Sequence, residues 1–82
     1  MSSSTDWQAF KYNEVYEEEL RALRRRRETD PLCTVNDLER VLQNMYIMEG
    51  SEGVGAVAAI SMAATIAAHE HFIAQWKKES ES

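Results

Sequence analysis

Val54 to Ala68 is a run of fifteen residues that are apolar or alanine except for Gly55, Ser61 and Thr65. Alanine is the best helix former, so the run commits this part of the chain to a helix. A helix that is apolar nearly all round is normally surrounded by protein, which constrains everything else in so short a chain. The helix is expected from about Glu52 to Lys78, with Lys77 and Lys78 in its last turn as the dipole favours. It carries two heptad-like seams. Met62, Ile66, His69, Ile73 and Trp76 follow one line, and Val57, Ile60, Ala64, Ala67, His71 and Ala74 follow another about 180° away at about 100° per residue. Both faces are expected to be buried.

The rest of the chain supplies two further helices. Asp6 is a suitable N-cap, and from there to Glu28 the chain is rich in Glu, Arg, Leu and Ala. Tyr12, Tyr16, Leu20 and Leu23 recur every three or four residues and define its core face. Pro31 ends this helix by disfavouring α geometry at Asp30 and withholding a backbone donor. Thr34 then caps a second helix with Asp37 at the capping-box position, and Val35, Leu38, Val41, Leu42, Met45 and Met48 form its apolar stripe. In Glu49-Gly50-Ser51-Glu52, Gly50 suits a left-handed C′ position and Ser51 can cap the next helix, which predicts a tight antiparallel hairpin. The expected fold is therefore all-α, one three-helix domain over residues 1–82 in long, short, long order, with 1–5 and 79–82 as flexible tails.

The second helix is short for its task of covering an all-apolar neighbour, and an 82-residue chain has a small core. Gly55, Ala59, Ala63 and Ala67 form a row of small residues along the third helix that lets another backbone approach closely. Self-association is expected, most simply a two-fold dimer with paired third helices. Trp7 and Phe10 fall about 120° to 180° from the Tyr12/Leu20 face, so either the chain bends back before Tyr12 or they meet another surface. Ile47 points away from the second helix's stripe and could also touch another chain.

Charge and composition narrow the function classes. The net charge of −5 disfavours a protein built chiefly to neutralise phosphates or to lie on anionic lipid. The apolar run is shorter than the about 20 residues of a membrane span, so no span is expected. Met1 to Asp6 lacks the basic and apolar regions of a signal peptide. A single cysteine, Cys33, allows no intrachain disulfide, and a reducing cytoplasm is the expected location.

Chemical motifs are sparse. His69-Glu70-His71 suggests a metal site only until it is placed on a helix, where residues two apart diverge by about 160° and cannot share one ion. A metal would need a ligand from another helix or subunit; otherwise each His caps a seam and finds a local hydrogen bond. Arg24 to Arg27 resembles a nucleic-acid patch, yet four successive helical residues span about 300° of the circumference. With Glu17 to Glu19 and Glu28 nearby, and Glu17 to Arg21 in the favourable i, i+4 order, they read first as a solvated helix end. Two such ends in a dimer could still gather into a local anion-binding spot. Cys33 reads as a buried thiol, and Gly53-Val54-Gly55 is too short for a phosphate loop. The expected function is that of a non-enzymatic helical interaction module without cofactor, catalytic or metal residues. Its expected partners are a second copy and another protein, and its candidate contacts are Gly55, Ala59, Ala63, Ala67, Trp7, Phe10 and Ile47. The alternatives are a small regulator touching nucleic acid through Arg24 to Arg27 and an inter-subunit His metal site. If Gly50 holds a left-handed C′ position, Gly50→Ala should cost about 1 kcal/mol in chemical denaturation, because a Cβ opposes positive φ.

Overall fold

The computed structural model describes residues 4–49 and 55–81. It contains three helices, α1 (Ser4–Thr29), α2 (Val35–Glu49) and α3 (Ala56–Glu81). Asp6 is not the cap of α1 but lies in its first turn, where its charge suits the helix dipole. Ser4 and Thr5 lie within α1, and Glu79 to Glu81 within α3. The last turn of α3 is held by Ser80 Oγ, which donates to the Trp76 carbonyl (3.1 Å), and by an ion pair between Arg27 and Glu79 (3.0 Å).

Local chemistry accounts for the break between α1 and α2. The Thr29 hydroxyl donates back to the Arg25 carbonyl (2.8 Å), and the Leu32 N–H donates to the Asp30 carboxylate (3.0 Å). The capping box forms reciprocally. Asp37 N–H donates to Thr34 Oγ1 (3.2 Å), and Thr34 N–H donates to the Asp37 carboxylate (3.1 Å).

α3 starts later than Glu52 because Gly55 is not helical. Its carbonyl accepts the first bond of the helix, from the Ala59 N–H (2.9 Å), which puts Gly55 at the N-cap. Glycine costs about 1 kcal/mol inside a helix, so the boundary falls where the alanines begin. The expected left-handed Gly50 and capping Ser51 lie outside the described residues.

α1 runs parallel to α3: Tyr12 lines a hollow with Ile60, Tyr16 meets His71 (ring centroids 6.4 Å apart), and Arg27 pairs with Glu79. α2 is antiparallel to α3. The Tyr46 hydroxyl bonds to Glu70, and Lys77 Nζ to Glu39 (2.6 Å). By that register Glu49 stands level with about Ala67, and the start of α3 projects about 16 Å past the end of α2 at about 1.5 Å per residue. The two helices therefore pack antiparallel with an offset of about three turns.

α1 and α2 each pack on α3, and among the described residues they do not pack on each other. The core gathers Leu20 and Leu23 from α1, Cys33 from the turn, Leu38 from α2 and Ala68, Phe72 and Ile73 from α3. Because α2 has only one neighbour, a narrow stripe suffices. Val35 and Leu42 pack against the core and Leu38 and Met45 are buried, but Val41 and Met48, at the stripe's edge, are exposed. Val57–Ser80 is long and apolar enough to cross a membrane by length and composition. Within the structure 33% of its most apolar stretch is buried.

Leu38 is 1% exposed. Leu38→Ala should cost about 3 kcal/mol, and Thr34→Ala about 1 kcal/mol through loss of the cap, both read from urea midpoints.

Candidate interaction surfaces

The row of small residues lies on α3, the helix against which α1 and α2 both pack. Its buried residues Ala64, Ile66, Ala68, His69, Phe72 and Ile73 cover an arc of about 200° at about 100° per residue. The opposite arc is open. Ala59 and Ala74 are exposed there, and Ala63 and Ala67 are half-buried. Of the two seams expected to be covered, the Met62/Ile66/His69/Ile73/Trp76 line is packed. The second is not: His71 and Ala74 are exposed because two helices resting on one arc cannot also cover the other, Val57 is exposed where α3 projects past α2, and only Ala64 is buried. Gly55 drops out of the small row as a helical position. A Cβ built on it would meet nothing within 4 Å, so its size is not demanded by packing inside the chain.

Trp7 (42% exposed) and Phe10 (71%) lie on a continuous α1, so the chain does not bend back before Tyr12. The regular helix turns both away from α3. Ile47, at 75% exposed, likewise faces outward from α2. The structure thus leaves Trp7, Phe10, Ile47 and Ala59 all accessible, without bringing them onto one face.

The two histidines part as helical geometry requires. His69 is buried, and its Nδ1–H donates to the Thr65 carbonyl (2.9 Å), while the Thr65 hydroxyl donates to the Ser61 carbonyl (2.8 Å). His71 is exposed beside Tyr16. Among the described residues no three His, Cys, Asp or Glu side chains come together as a metal site requires. Cys33 is a free, buried thiol within the core cluster.

The four arginines divide into two kinds. Arg24, Arg25 and Arg26 are exposed. Arg27 is not a solvated end residue: its guanidinium lies 4.2 Å from the Trp76 ring centre while pairing with Glu79. Trp76 in turn meets Phe72 edge to face, with ring centroids 5.9 Å apart. The sequence signal for this contact was the pairing of the inner α1 stripe, which Arg27 continues from Leu20 and Leu23, with the Trp76 seam. Among the described residues Glu17 and Arg21 form no ion pair, whereas Lys11 and Glu14 pair within α1 (3.4 Å). A groove of about 570 Å³ between α1 and α3 is floored by Leu20 and Phe72 and edged by Arg24, Glu28, His71 and Gln75. Its mixed charge defines no anion site.

The Tyr46 hydroxyl has its pKa raised, first by its hydrogen bond to Glu70, then by desolvation and by the charges of Glu70 and Glu49. A raised folded-state value means that this bond contributes below pH 10 and is lost as the hydroxyl ionises above it.

Compared with family models, with curated proteins and with solved structures, the chain matches none. Arg27→Gln should destabilise by about 1 kcal/mol through loss of the Trp76 and Glu79 contacts. Arg25→Gln with Arg26→Gln should change stability by well under about 1 kcal/mol, measured by the same denaturation.

Proposed function

We propose that this chain is a non-enzymatic helical interaction module that pairs with a second copy through the open side of α3. The observation that carries the reading is that the central helix keeps one arc more open than the other, and that arc carries Ala59, Ala63, Ala67 and Ala74 together with Ile60, Glu70 and His71. Small side chains let two helix backbones approach closely, and the close packing that results tolerates no longer side chain. An isologous pair would cover the apolar arc that α1 and α2 leave open, and would complete the burial of a helix too apolar to stand in water on one side. Trp7, Phe10 and Ile47 are then outward contacts available to the same partner or to another protein. A reducing cytoplasm, with no cofactor, is the setting this reading assigns to a chain whose one thiol is buried.

Ala63→Glu tests the pairing. Two carboxylates placed near a two-fold axis would cost several kcal/mol, more than a small interface can absorb. Light scattering at matched concentration should give wild type at least twice the mass of the variant. Equal masses for the two would overturn the proposal.

A further inference from the structure

The side of α1 turned from the core, which at Arg24 reaches the edge of the groove between α1 and α3, carries an ordered charge pattern that the α3 pairing does not use. Trp7, Phe10, Glu14, Glu17, Arg21 and Arg24 alternate at spacings of three and four, so they share one face, and all six are exposed. Along that face the order is apolar, then acidic, then basic. Glu18 and Arg25 flank the acidic and basic blocks. Directly beyond the helix, in the turn that follows, stands Leu32, 82% exposed.

We propose that this face is a second self-complementary surface, on which the α1 helices of two copies pair antiparallel about a two-fold axis near Glu19 and Leu20. Reversal about that point sets Glu17 of one copy against Arg21 of the other, and Glu14 against Arg24 or Arg25. The same register carries Trp7 and Phe10 to the far helix end, where the second copy presents Leu32. Every acidic block meets a basic block twice by symmetry. A parallel pairing would set acid against acid and base against base, so the charge order selects the antiparallel arrangement. The occupant is a second copy because the complement of this face is the face itself. α1 contributes Tyr12, Tyr16, Leu20 and Leu23 to the bundle from its other side, which leaves this one free without disturbing the core. The pairing is independent of the α3 stripe.

Two charge-reversed chains test it: one with Glu14→Lys, Glu17→Lys and Glu18→Lys, the other with Arg21→Glu, Arg24→Glu and Arg25→Glu. All six positions are exposed, and circular dichroism should show unchanged helicity. Each variant alone repels itself at this face. Mixed, they should associate at least about tenfold more tightly than either self-associates, and about 1 M salt should erase the preference. Sedimentation of the separate and mixed variants reads both. Adding Trp7→Ala and Phe10→Ala to both chains should weaken the mixed association at least about tenfold, which attraction between net charges alone would not show. Pairing through α3 would show at most a net-charge preference that is indifferent to Trp7 and Phe10, so failure of that contact does not mimic failure of this one. Should a triple variant lose helicity, Glu17→Arg and Arg21→Glu give the same comparison. Mixing without preference, or a preference indifferent to Trp7 and Phe10, would overturn the proposal.

Discussion

The packing of α1 and α2 separately onto one arc of α3 is the constraint on which the rest of the structure depends. Leu20 and Leu23 from one side and Leu38 from the other close on Ala68, Phe72 and Ile73. Since among the described residues α1 and α2 do not pack on each other, each rests on α3 alone. The buried arc of α3 therefore carries most of the apolar burial that holds the chain together, and at about 25 cal/mol per Å² that burial is the main favourable term. The polar links across the same seams, Arg27 with Glu79 and Glu39 with Lys77, are partly exposed and fix register more than they add stability.

A spine helix used on one arc leaves its other arc open, and the surface proposed for pairing follows from that. Alanine serves two ends here. It makes the helix form without help, and it leaves a surface with no bulky group to hide and little to keep another backbone away. On α1 the division is similar, with a tyrosine and leucine stripe facing inward and an apolar, acidic and basic sequence facing outward. Each long helix thus presents one face to its own chain and one to its surroundings.

Much of this was legible in the residues. The helix count and order, the break at Pro31, the capping box of Thr34 with Asp37 and the inner stripe of α1 all depend on spacings of three and four residues or on local bonds, which sequence encodes directly. The divergence of His69 and His71 was legible for the same reason. What was not legible depends on where the neighbouring helices end. Val41 and Met48 fit the apolar period of α2, yet they are exposed because α2 has one neighbour and not two. Gly55 fits the four-residue row of α3 but stands outside the helix, since N-cap placement is decided by competition between glycine's propensity and the alanines that follow. The Arg27 contact with Trp76 could not be foreseen without the parallel register of α1 and α3. Whether Trp7 and Phe10 turned inward also depended on α1 staying regular through its first turns.

Amide hydrogen exchange along α3 at two protein concentrations tests the central claim most directly, because it reads the covered and open parts of the same helix in one measurement. The account predicts that amides around Phe72 and Ile73, held by the chain's own core, exchange at a rate independent of concentration. Those from Ala59 to Ala67 should slow as concentration rises and the second copy covers them. Exchange from Ala59 to Ala67 that stays unchanged over the same range would contradict it.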